Sequence, residues 1–144
     1  MPSNYSFLDR FVGGSALPGT LDDLQAYEDD GVTDIFSLTP NLPLVTRYYE
    51  GDILQFHHLP VYATPDDMQI TRFLELIKEI RHQGTKAVIH CQYGQERTGM
   101  FLAIYLIEIL GMDVTAAIST IREQREGSLR TQHALNYLYS RYNI

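Results

Sequence analysis

Apolar residues recur every three or four positions through Ile70, Phe73, Leu74, Ile77 and Ile80, with Glu75, Lys78, Glu79 and Arg81 opposite them. That period predicts an amphipathic helix, and Gly84 supplies its stop. Upstream the pattern changes. The first 65 residues read as short strands and turns: Phe11-Val12 as a strand running into a turn at Gly13-Gly14, Val32 to Leu38 as a second strand broken by Thr39-Pro40-Asn41-Leu42-Pro43, and Leu54 to Val61 as a third, followed by a polar turn at Thr64-Pro65. Leu21 to Asp29 is a short helix with Leu21, Leu24 and Tyr27 on one face and Gly31 beyond its end.

Downstream, Lys86 to His90 predicts a fourth strand around Ala87-Val88-Ile89, and a helix from about Thr98 to Leu110 is apolar nearly all round, the mark of a buried central helix. Asp113 is a good N-cap for a helix carrying Ala117, Ile118 and Ile121, and a last helix from about Thr131 packs Leu135, Leu138 and Tyr142. Strands alternating with helices predict an α/β fold with a small central, mostly parallel sheet flanked by helices. No repeat or linker divides residues 1–144, so one domain is expected. In such folds ligands bind beyond the C-terminal ends of the strands.

Composition narrows the function. The chain has 144 residues, 44% of them apolar, and 18 acidic against 11 basic side chains for a formal charge of -7. No basic run offers a phosphate-backbone footprint, so no nucleic-acid partner is expected. The single cysteine excludes an intramolecular disulfide, a Cys-X-X-Cys redox pair and a multi-thiolate zinc site. The start, Met-Pro-Ser-Asn-Tyr-Ser, has neither a basic nor an apolar signal region, and the longest apolar run, Met100 to Ile107, is too short to cross a membrane. A cytoplasmic monomer without membrane attachment is the expectation.

That one cysteine lies in His90-Cys91-Gln92-Tyr93-Gly94-Gln95-Glu96-Arg97-Thr98-Gly99, between the most buried strand and the most buried helix. A loop this short, from Gln92 through Gly94 and Gln95 to Glu96, turns several N–H groups inward and makes an anion nest capped by a helix N-terminus. Gly94 permits a backbone angle or close approach closed to other residues. Arg97 adds a planar, permanently charged fork suited to two phosphate oxygens. Cys91, under the same donors, should fall well below its free pKa of about 8.5 and act as a thiolate nucleophile, with Thr98 stabilising it and His90 fixing the loop. The constellation predicts two-step phosphoryl transfer: Cys91 attacks phosphorus, a phosphocysteine forms, and water hydrolyses it. Arginine and amides supply the charge stabilisation, so neither metal nor cofactor is called for.

The motif His-Cys-x-x-Gly-x-x-Arg-Thr-Gly resembles the signature of cysteine-dependent phosphatases of the dual-specificity class. Asn4 to Phe7, Val12 to Pro18, Gly31 to Thr39, Leu59-Pro60, and Ile121-Arg122 through Arg125, Gly127 and Ser128 are similar to small atypical dual-specificity and archaeal tyrosine phosphatases. The resemblance implies the dual-specificity phosphatase fold and activity on phosphotyrosine, with phosphoserine and phosphothreonine as further substrates, in a phosphoprotein or a small phosphomonoester.

Relatives carry an aspartic acid just after the Leu-Pro strand end that protonates the leaving group. Here the stretch reads Leu59-Pro60-Val61-Tyr62-Ala63-Thr64-Pro65-Asp66-Asp67, with no acid near Val61 or Ala63. Asp66 is the nearest replacement and Asp67 the next. Both also suit the start of the following helix, and His57, His58 and Glu96 are further candidates. Glu96 is expected to point to solvent, away from the dianion it would repel. Gln132 is the amide available to position the hydrolytic water. Tyr62 and Tyr93 flank the expected pocket. Three alternatives stand beside a protein phosphatase: a phosphate-binding module with weak turnover, a rhodanese-like sulfurtransferase, and a phosphatase of RNA 5′ ends, phosphoinositides or nucleotides.

Overall fold

A computed structural model describes residues 1–142. Five strands form one sheet in the order β1-β2-β5-β3-β4. They are β1 Ser6–Phe7, β2 Val12–Ser15, β3 Val32–Ser37, β4 Gln55–His58 and β5 Lys86–His90. Strand β1 runs antiparallel to its neighbour, while β2–β5, β5–β3 and β3–β4 are parallel. The expected mostly parallel sheet is therefore what the chain builds.

Alternation along β3 and β5 decides which helices cover which face. Phe36, Ala87 and Ile89 join Val12 in a core with α2 (Asp67–Gln83), α3 (Arg97–Glu108), α4 (Val114–Gln124) and α5 (Gln132–Tyr142). Ile35 and Val88 point the other way, to Leu24 and Tyr27 of α1 (Leu21–Asp29) and Val45 of a 3-10 turn at Leu44–Tyr48. Every residue of α3 from Thr98 to Leu106 is buried, so this helix needs no polar face, as its all-round apolar sequence predicts. Among the described residues no helix is long and apolar enough to cross a membrane.

Two expectations change and two short elements are added. Gly13 and Gly14 do not turn the chain; they lie within β2. A Cβ at Gly13 would sit 2.5 Å from the Ser6 carbonyl oxygen, and one at Gly14 2.9 Å from Thr98 Cγ2 and 3.0 Å from Arg125 Cζ. These glycines serve close approach. The third predicted strand is shorter, Gln55–His58, because the regular register with β3 is lost after His58: Leu59 and Val61 donate to successive carbonyls rather than alternate ones. The chain still follows β3 beyond it, with Leu59 N–H on the Ser37 carbonyl and Val61 N–H on the Leu38 carbonyl. β1 and the 3-10 turn are too short for any periodicity to reveal.

Candidate active site

Strand β5 ends at His90 in the middle of the sheet, and α3 begins at Arg97. The six residues between them make the cup. Cys91 lies at its floor, 3% exposed. Its Sγ accepts a hydrogen bond from Thr98 Oγ1 at 3.1 Å, and the backbone N–H groups of Thr98 and Gly94 also point at it. Burial pushes the thiol pKa up, but the Thr98 hydroxyl, the two N–H groups and the charge of Arg97 outweigh it and hold the pKa below the ordinary value.

Gly94 is required twice over. Its φ is +74°, and a Cβ there would stand 2.6 Å from the carbonyl carbon and oxygen of Ser15. Gln92, Tyr93 and Gln95 keep their side chains exposed, so they can serve an anion through the backbone. Tyr93 is 70% exposed on the rim and Tyr62 78% exposed on the facing loop. Arg97 Nη1 reaches the carbonyls of Val61 at 3.3 Å and Leu38 at 3.5 Å. Its Nε and Nη2 have no protein partner among the described residues, which leaves donors for phosphate oxygens.

His90 is fully buried between Ser37 and the Cys91 backbone. The Cys91 carbonyl, 3.2 Å from Nδ1, can only accept, so Nδ1 carries the proton and Nε2 accepts from Ser37 Oγ at 2.6 Å. Burial first, then repulsion from Arg97 and His58, depresses the His90 pKa to about 4 against the raising effect of the Cys91 carbonyl. A neutral, doubly bonded histidine fixes the start of the loop; it is not a base.

The underside of the cup holds a group to which sequence reasoning gave no role. Arg125 is 2% exposed. It donates from Nη2 to the Gly94 carbonyl at 2.8 Å, and from Nη1 to Ser6 Oγ at 2.8 Å and the Gly14 carbonyl at 3.1 Å. Among the described residues no carboxylate faces it, and its Nε has no partner. Burial lowers its pKa to about 10, and the nearby Cys91 charge opposes that fall, so it remains a cation at neutral pH. By turning the Gly94 carbonyl down onto itself, Arg125 fixes the backbone of the loop that carries the anion donors. A sequence signal existed: Arg125, the C-cap of α4, continues the spacing of the buried Ile118 and Ile121, where a charge is out of place. Asn4 braces the same loop from outside, Nδ2 donating to the carbonyls of Tyr93 and Gly94 at 3.1 and 3.0 Å.

The remaining expected residues take other positions. Asp66 is the N-cap of α2: its Oδ1 accepts from Gln69 N–H at 2.7 Å, and Gln69 Oε1 accepts from Asp66 N–H at 3.1 Å. The carboxylate expected to serve as acid is thus tied to a helix terminus. Asp67 pairs with Arg141 Nη1 at 2.7 Å. His57 pairs with Asp34 at 2.6 Å, and His58 Nε2 is 2.8 Å from the Thr39 carbonyl. Glu96 does turn from the mouth, but toward protein: it accepts from Arg130 N–H, Thr131 N–H and Thr131 Oγ1 at 3.1, 3.0 and 2.9 Å, fastening the cup to the start of α5. Gln132, expected to position water, is exposed and donates to Asn136 Oδ1 at 2.7 Å.

Comparison with known proteins agrees with this geometry. The chain is 28% identical over 83 residues to an mRNA-capping enzyme of Caenorhabditis elegans, a match covering 56% of this chain and 13% of that protein. It is 27% identical over 113 residues to a putative tyrosine-protein phosphatase 1 of Orgyia pseudotsugata multicapsid polyhedrosis virus, covering 72% of this chain and 51% of that one. The matched regions thus span from about an eighth to half of these relatives. The crystal structure of Tk-PTP in the active form superposes with a TM-score of 0.81 at 24% identity, covering 97% of this chain and 97% of that one, and shows the same fold. The profile of PTP-SAK, described as Swiss Army Knife protein, DSP-PTPase phosphatase domain, matches residues 6–137. With that profile spanning nearly the whole chain and the cup geometry beneath it, the protein belongs to the PTP-SAK family of dual-specificity-type phosphatase domains.

Proposed function

We propose that this domain hydrolyses phosphomonoesters of phosphoproteins, phosphotyrosine foremost, through a phosphocysteine at Cys91. The observation that carries the reading is Cys91 Sγ on the cup floor, facing the Thr98 hydroxyl and the N–H groups of Thr98 and Gly94, with Arg97 across the mouth. These donors suit two successive anions. They favour the thiolate before attack, and they face the equatorial phosphoryl oxygens as charge moves onto them. In-line attack by Sγ forms the S–P bond while the P–O bond to the leaving group breaks. Water then attacks the phosphocysteine and returns the thiolate.

Two features favour a phosphoprotein over a polyanion. The rim presents the exposed rings of Tyr62 and Tyr93, flat apolar surfaces for a phosphotyrosine ring. The chain as a whole is acidic, at -7, which disfavours ligands with several phosphates. The test is kcat/KM on a panel of phosphotyrosine, phosphoserine and phosphothreonine peptides, 5′-phosphorylated RNA and a phosphoinositide, each with Cys91→Ser as control. Turnover of phosphotyrosine peptides that disappears in Cys91→Ser is the expected result. Undiminished turnover in Cys91→Ser contradicts the mechanism, and turnover confined to RNA or lipid contradicts the substrate class.

A further inference from the structure

The far side of the cup, from Gln95 into the first turn of α3, is held by residues 127–131, which follow α4 and lead into α5. Leu129 lies at the centre of this segment and is fully buried. Its φ is +53°, a backbone conformation that a leucine rarely adopts and that persists only where the surroundings impose it. Three contacts impose it here. Arg122 of α4 clasps the Leu129 carbonyl with two donors, Nε at 3.1 Å and Nη2 at 2.8 Å. The Leu129 N–H reaches the Gln95 carbonyl at 3.4 Å. The side chain lies against Gly99, where an added Cβ would stand 2.9 Å from Leu129 Cγ and Cδ2.

The two points that Leu129 touches bracket the groups around the thiol. Between Gln95 and Gly99 stand Arg97 and Thr98, and the Thr98 hydroxyl and N–H face Cys91 Sγ. Neighbouring contacts fasten the same stretch. Glu96 accepts from Arg130 and Thr131, and a Cβ at Gly127, whose φ is +90°, would come 3.0 Å from Gln95 Nε2. A glycine at position 129 would take the same backbone angles without strain, yet it would leave the space against Gly99 empty. The leucine fills that space, and the Arg122 fork holds its backbone where the side chain fits.

We propose that Arg122 and Leu129 are positioning residues: a latch that sets the first turn of α3 so that Thr98 and Arg97 keep their places around Cys91. Among the described residues only Thr98 gives Sγ a side-chain hydrogen bond, so the latch acts through Gln95 and Gly99 and not by direct contact. For turnover it rests on the phosphocysteine reading above, but its effect on the thiol precedes any substrate. When the wedge at Gly99 is removed or pushed, the turn shifts and the Thr98 donors lengthen. Sγ then loses bonds that favour its charged form. The cations that act on Cys91 are Arg97 and Arg125, and His90 beside it is neutral. The test below leaves all three in place.

The test is a double-mutant cycle on Gly99→Ala and Leu129→Ala, with Arg122→Met beside it. Two quantities are read: the pH dependence of Cys91 alkylation by iodoacetamide, and kcat/KM on an aryl phosphate with a good leaving group. Thermal melts check that each variant is folded. Gly99→Ala drives a methyl into Leu129, so kcat/KM should fall about tenfold and the alkylation midpoint should rise by about half a unit. Leu129→Ala alone leaves the space empty and should lose about threefold. Combined, it makes room for the methyl, and the double variant should regain most of what Gly99→Ala loses. Arg122→Met, at a half-buried position, should move both readouts the same way by less, and it decides the matter where Gly99→Ala does not fold. Additive losses in the cycle overturn the latch. So does a stability loss in Arg122→Met with the alkylation midpoint at its wild-type value. Turnover that survives in Cys91→Ser overturns the phosphocysteine reading instead, and the alkylation profiles still decide the latch.

Discussion

The cup, residues 91–97, and the loop that faces it, residues 61–66, lie at the same end of the sheet and are held in opposite ways. The cup is contiguous in sequence and braced at every side: His90 on Ser37 at its start, Arg125 and Asn4 on the Gly94 carbonyl, and the α3 N-terminus behind it. The facing loop has little structure of its own. Beyond Val61 it is fastened by one stripe of α5, where His133, Tyr137 and Arg141, four residues apart, reach the Ala63 carbonyl, the Pro65 carbonyl and the Asp67 carboxylate. The residues proposed for the attack are thus written in one motif. The loop that faces them is fastened by contacts between segments some seventy residues apart.

The comparison predicts that damage within the cup costs far more than damage at the loop. Arg97→Met removes the charged donor at the mouth, and kcat/KM should fall on the order of 10³-fold, with Arg97→Lys recovering a small part because it lacks the planar fork. Steady-state kinetics on an aryl phosphate check this.

Next is Thr98→Val, which removes the hydroxyl bond to Sγ. The Cys91 pKa is lowered in the folded protein, so loss of a bond to the charged form should raise it by about one unit or more. The thiolate is the reactive form. The rate deficit is therefore largest at low pH and disappears well above the new pKa, and the pH dependence of iodoacetamide alkylation should move the same way.

Arg125→Met tests whether the cup needs its brace. It strands acceptors at Ser6, Gly14 and Gly94 but also removes a buried cation. The expected balance is a stability loss of about 3 kcal/mol in denaturant unfolding with about a tenfold loss of turnover. Arg125→Lys should recover only part, having no fork to span three acceptors.

The smallest effect belongs to the loop's own end. Asp66→Ala should cost about 1 kcal/mol of stability by removing the α2 cap, and Asp66→Asn should restore it, since the asparagine oxygen can still accept from Gln69 N–H.

What the sequence discloses follows the same division. The helices α2 to α5 are legible because their stripes are long, and Cys91, Gly94, Arg97 and Thr98 because one loop must hold them together. Gly13-Gly14 misleads because a glycine kept for close packing looks like one kept for a turn. Asp66 stays ambiguous in the sequence because an N-cap and a catalytic acid call for the same residue in the same place. His133, Glu96 bound to Thr131, and Arg125 beneath Gly94 are contacts between distant segments, which no local period or spacing encodes.

The central claim is the covalent bond to Cys91, and direct capture tests it best. The protein is mixed with a labelled phosphotyrosine peptide, quenched during turnover, digested and sequenced by mass spectrometry. We expect the phosphoryl group on the sulfur of Cys91, and no adduct in Cys91→Ser. Label on a different residue, or wild-type turnover by Cys91→Ser, would contradict the account.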